Sequence, residues 1–140
     1  MSRPISTKWE SGRLRVFIIY ELQPTIDRDK LIFSMLEGVR NETRQLPLME
    51  GAFQVDDAGK TCIVTPPGSQ VEVNVRRFES TGHKSLSSWA EDSLSANDLH
   101  LSQFLPEEPA GNNPVCALQL SLIEGGLILG FRMNHAAGDW

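Results

Sequence analysis

The chain has 140 residues, 40% of them hydrophobic and 22% charged, which is the make-up of one ordinary globular domain. Its formal net charge of -5 argues against nucleic acid as the main partner, since neutralising phosphates needs a surplus of Lys and Arg. The longest apolar run, near residues 16–20, is far short of a membrane span. The polar opening MSRPISTKWESGRLR also lacks the apolar stretch of a signal peptide. No membrane partner and a cytoplasmic location are therefore expected.

Residues 14–22, LRVFIIYEL, are apolar, β-branched and aromatic, the pattern of a strand buried on both faces. Pro24 interrupts it, and Thr25 and Asp27 then offer N-cap side chains. Leu31, Ile32, Met35, Leu36 and Val39 recur at helical spacing, while Arg28, Lys30, Glu37 and Arg40 face away. This predicts an amphipathic helix packed on a sheet. It should end near Arg44, because Pro47 disfavours helix at the residue before it.

Residues 49–68, MEGAFQVDDAGKTCIVTPPG, place alternating runs on either side of Asp57-Ala58-Gly59 and predict a β-hairpin. Pro66-Pro67-Gly68 marks a turn, after which Val71-Glu72-Val73-Asn74-Val75 alternates as a further strand. A short helix is expected around Trp89, with Ser87 or Ser88 as its cap. Residues 106–114, PEEPAGNNP, are a loop by composition.

The last third reads most clearly. Cys116, Leu118, Leu120 and Leu122 share one face of a strand, with Gln119 and Ser121 on the other. Glu124-Gly125-Gly126 supplies a hairpin turn, because glycine accepts the positive φ such turns need. Leu127, Leu129, Phe131 and Met133 then alternate with Ile128, Gly130, Arg132 and Asn134, and this second strand runs into His135. The elements together predict an α/β domain with a mixed or antiparallel sheet.

Several residues have plain readings. Cys62 and Cys116 lie in apolar runs, as buried reduced thiols do. His83 and His100 sit in polar surroundings, and Arg76-Arg77 fits a solvated face. Asp56-Asp57 is a turn pair, and Trp9 and Trp89 are packing residues. Gly125-Gly126 is too short for a phosphate loop.

The final run, RMNHAAGDW, concentrates the chemistry. His135 follows a strand among small residues, and an imidazole with a pKa near 6.5 can accept a proton at neutral pH. Asp139 could orient that ring or fix the loop by pairing with a cation, and Gly138 permits the turn. His135 and Asp139 have no third ligand in evidence, so no metal is expected.

Residues 118–139, LQLSLIEGGLILGFRMNHAAGD, resemble the N-terminal half of acyl-CoA-dependent acyltransferases of the BAHD type and their fungal trichothecene-acetyltransferase relatives. The superfamily is that of chloramphenicol acetyltransferase, and its hallmark is H-x-x-x-D at the end of a strand after a Gly-containing hairpin. Leu46-Pro47-Leu48-Met49-Glu50-Gly51 is similar to the family's Pro-Leu-x-x-Gly stretch, so the likeness runs from about Leu14 onward. It implies one lobe of that fold over residues 1–140, with a mixed sheet and flanking helices.

On this resemblance His135 is the general base, while Asp139 is turned away from substrate and holds the loop with Gly138. Acyl-CoA is a co-substrate rather than a bound cofactor, and the acceptor is a small secondary-metabolite-like hydroxyl or amine. Trp140 departs from the glycine that often follows the aspartate, and Asn134 stands where condensation domains carry a second histidine. Family members are longer, with the reaction centre between two similar lobes. The D-F-G-W-G motif and the CoA-binding elements of the second lobe have no counterpart in these residues. The expectation is a lobe inactive alone, completed by a C-terminal chain or by a homo-oligomer. The alternative is a non-catalytic half-domain that binds a partner through its exposed sheet.

Overall fold

The computed structural model describes residues 13–78, 103–107 and 113–134. Within them the chain forms β1 (Arg13–Glu21), α1 (Arg28–Arg44), a short 3-10 helix (Pro47–Glu50), β2 (Ala52–Val55), β3 (Thr61–Val64), β4 (Glu72–Arg77), β5 (Cys116–Ile123) and β6 (Gly126–Asn134). Four strands make one sheet in the order β1-β6-β5-β4, and β2 and β3 form a separate hairpin. β6 is antiparallel to both β1 and β5, whereas β4 runs parallel to β5. The domain is α/β with a mixed sheet, as expected, and α1 is its flanking helix among the described residues.

α1 forms where the apolar spacing placed it. Asp27 is the N-cap, its carboxylate accepting the Lys30 backbone N–H at 3.1 Å. Leu31, Ile32, Met35, Leu36 and Val39 pack with Leu118, Leu120, Leu122, Leu127 and Leu129 of the two central strands. The helix stops at Arg44, and Pro47 opens the 3-10 helix instead. Arg28 differs from expectation: at the first turn it is half-buried, not solvent-facing.

β1 is a correction. Its composition predicted burial on both faces, yet Ile18 and Tyr20 are each 40% exposed. The reason is topological. Among the described residues β1 is an edge strand, and the helix stripe packs chiefly on β5 and β6. On the opposite face Phe17 and Ile19 do pack, against Phe104, Ile123 and Ile128.

The central strand β5 is buried at every position, including the polar ones. Residues 103–106 cover the face that carries Gln119 and Ser121. The Gln119 amide donates to the Gln103 carbonyl and to Ser121 Oγ, both at 2.8 Å, so these buried polar groups are satisfied. Phe104, fully buried, crosses β6 at Gly130, where an added Cβ would stand 2.1 Å from the Phe104 carbonyl oxygen. Gly130 is therefore required by close backbone approach. Residues 79–102, including the helix expected around Trp89, lie outside the described residues.

Candidate active site at the end of strand β6

The residue before the motif is held from both sides. β5 and β6 are joined at Glu124-Gly125, where Gly125 has φ 80°, and the Gly125 carbonyl also takes the Leu22 N–H at 2.9 Å. From that turn the ladder runs without interruption, Met133 opposite Cys116 on one side and Asn134 opposite Arg13 on the other. The Asn134 N–H donates to the Val115 carbonyl at 3.0 Å, and Asn134 is 5% exposed. A strand flanked by two partners delivers its end to a defined place, which a loop alone does not.

The small hairpin is tied to the same spot. The Val115 N–H donates to the Gly51 carbonyl at 3.0 Å, and the Phe53 N–H donates to the Asn113 carbonyl at 2.8 Å. Gly51 closes the Pro-Leu-Met-Glu-Gly stretch, and its lack of a side chain has a local cause. A Cβ there would lie 2.6 Å from Thr65 Oγ1 and 2.8 Å from Ile63 Cγ2. Only glycine lets the backbone lie this close to β3 while its carbonyl reaches Val115. Sequence reasoning found the stretch through resemblance; its docking onto the start of β5 is non-local and left no signal in spacing.

His135, Gly138 and Asp139 lie outside the described residues, as do Trp9, His83, Trp89, His100 and Trp140. The structure therefore describes the platform that leads to the motif. Beside the platform is a cleft of ≈ 250 Å³, bordered by Glu50, Gly51, Ala52, Glu72, Pro114 and Cys116. This feature was not foreseen from the sequence. Burial pushes the Cys116 thiol up to about 12, which keeps it neutral and unreactive, in keeping with the reduced thiol expected. Cys62 is only half-buried, because β3 belongs to the outlying hairpin.

The remaining plain readings hold where they fall on described residues. Asp56 accepts the N–H groups of Ala58 at 2.9 Å and Lys60 at 2.8 Å and so shapes its turn, with Gly59 at φ 79°. Arg76 and Arg77 are exposed, Arg77 pairing with Asp29 of α1. Among the described residues no three His, Cys, Asp or Glu side chains gather as a metal site, and no helix is long and apolar enough to cross a membrane.

No protein-family model matches the chain, and no curated protein matches it. Solved structures do. F. graminearum TRI101, complexed with coenzyme A and deoxynivalenol, superposes with a TM-score of 0.79 at 16% identity, over 97% of this chain and 34% of that one. F. sporotrichioides TRI101 with coenzyme A and T-2 gives 0.71 at 18% identity, over 89% and 30%. The tallysomycin biosynthesis protein TlmII gives 0.56 at 17% identity, over 94% and 30%. The fold is thus that of one lobe of the chloramphenicol acetyltransferase-like architecture. The chain spans about a third of the length of the structures it matches.

Proposed function

We propose that this chain is one lobe of an acyl-CoA-dependent acyltransferase acting on a hydroxyl or amine of a small, secondary-metabolite-like acceptor. The observation that carries the reading is the place where β6 ends: a strand held on both sides, in a fold shared with TRI101 bound to coenzyme A, leads directly into His135. His135 takes the proton from the acceptor O–H or N–H as that atom adds to the thioester carbonyl. Collapse of the tetrahedral adduct breaks the C–S bond, and the imidazolium returns the proton to the departing CoA sulfur. Gly138 and Asp139 hold the loop that carries the base. No bound cofactor and no metal enter this scheme.

A base must lie within about 3 Å of the proton it removes in bound substrate, so the reaction needs a second wall. A complementary C-terminal lobe, continuous with this chain or separate, supplies it; a second copy of the chain is the other source. The test is acyl transfer from acetyl-CoA to a panel of hydroxyl and amine acceptors, by these residues together with such a lobe. Removing the base as His135→Ala should lower turnover by about 10²–10⁴-fold. Equal turnover with and without the imidazole would exclude His135 from the chemistry.

A second reading is favoured by the half-exposed Ile18 and Tyr20 on the open flank of β1. In it the lobe binds a partner through its sheet and catalyses nothing. Partner binding without turnover, unchanged by His135→Ala, would select it.

A further inference from the structure

We propose that the cleft between the 3-10 helix, β2 and the start of β4 binds a cationic amino group of the acceptor; this rests on the acyltransferase reading above. Its position comes first. Gly51 and Pro114 border the cleft and adjoin Val115, whose carbonyl takes the Asn134 N–H, and Ala52, also on the border, bridges to Pro114. The cleft is therefore one strand residue away from the described end of β6. At ≈ 250 Å³ it suits a substituent or a small ring and is too small to take up coenzyme A as a whole.

Its chemistry selects the charge. Glu50 and Glu72 both border the cleft, and no cation of the described residues pairs with either. Cys116 lines the cleft at 3% exposure, its thiol without a hydrogen-bond partner among the described residues. Val71 adds an apolar wall that is 5% exposed. Two carboxylates bordering one cleft disfavour any anion there, including the phosphates of coenzyme A, and they attract an ammonium group carried on an apolar body. The cleft accordingly serves the acceptor and not the acyl donor.

The test is two-dimensional NMR of the uniformly ¹⁵N-labelled 140-residue chain, titrated with cyclohexylammonium, cyclohexanol and cyclohexanecarboxylate, which share a shape and differ in charge. Cyclohexylammonium should shift the amides of Gly51, Ala52, Glu72 and Cys116 saturably. Replacing both acids, as Glu50→Gln with Glu72→Gln, should weaken it about tenfold, and each single change by less. Raised salt should weaken it as well. Cyclohexanol binding equally tightly, undiminished binding by the double variant, or no saturable shift at the cleft would each overturn the proposal. The unsubstituted chain, assayed for acyl transfer with a complementary lobe, separates the two readings. If it binds cyclohexylammonium normally while acyl transfer is never observed, the acyltransferase reading fails and the cation cleft stands; transfer to neutral acceptors without cyclohexylammonium binding gives the reverse.

Discussion

Cys116 joins the core and the cleft through one atom. Its thiol is raised from the ordinary 9.0 to about 12 because burial penalises the thiolate. Below pH 9 both folded and unfolded chains keep that proton, and the group contributes nothing to the pH dependence. Between about 9 and 12 the unfolded chain releases it and the fold does not, so stability falls as pH rises through that window. Urea unfolding at a series of alkaline pH values should show this slope, and Cys116→Ala should flatten it while lowering stability at neutral pH through the lost packing, so that the two stability curves converge as pH rises. An unchanged slope in the variant would assign the alkaline loss to other groups. Part of this was legible: the alternation of residues 116–122 placed Cys116 on the apolar face. Its contact with a cleft was not, because the opposite wall comes from residues 49–54 and 64–72, far off in sequence.

Among the elements, periodicity decided what could be read. α1 carries its own signal, a stripe at helical spacing with Asp27 before it, and it formed with those bounds. The β5–β6 hairpin was equally self-contained, since alternation and an adjacent glycine turn specify both strands. β1 misled because edge position is a property of strand order, which one strand's composition does not encode. The parallel pairing of β4 with β5 was hidden for the same reason. Gln119 and Ser121 marked a second face correctly, but the cover over that face arrives from residues 103–106. Gly130 tests how firmly this cover is built. Gly130→Ala drives a methyl group into the Phe104 carbonyl and should destabilise the chain by about 1–3 kcal/mol or more, read from chemical denaturation. Gly38→Ala is the control: nothing lies within 4 Å of its added Cβ, so in mid-helix it should stabilise by about 0.5–1 kcal/mol. If both changes had the same sign, backbone approach at Gly130 would not be what selects glycine there.

On the scale of the whole molecule, the described core is enclosed while one flank stays open. β5 and the inner positions of β6 are covered on one face by α1 and on the other by residues 103–106, which favours cooperative folding of this lobe by itself. Ile18 and Tyr20 at 40% exposure, with Phe33 at 62%, leave apolar surface that water does not favour. The binding reading needs that surface to meet a partner, whereas the catalytic reading needs a second wall opposite His135. Multi-angle light scattering of the 140-residue chain over a range of concentrations should show the apparent mass rising, as the open flank finds other copies. Ile18→Lys with Tyr20→Lys should hold the mass at the monomer value, since two ammonium groups on an edge strand oppose pairing and replace the apolar contact. The H-x-x-x-D residues are untouched by this change, so with a complementary lobe present, turnover per bound lobe should survive while the affinity between lobes falls. Loss of turnover at saturating lobe would instead mean that β1 reaches the reaction centre. A monomer at all concentrations in the unsubstituted chain would remove the open flank as a basis for association and, with it, the support that flank lends to the binding reading.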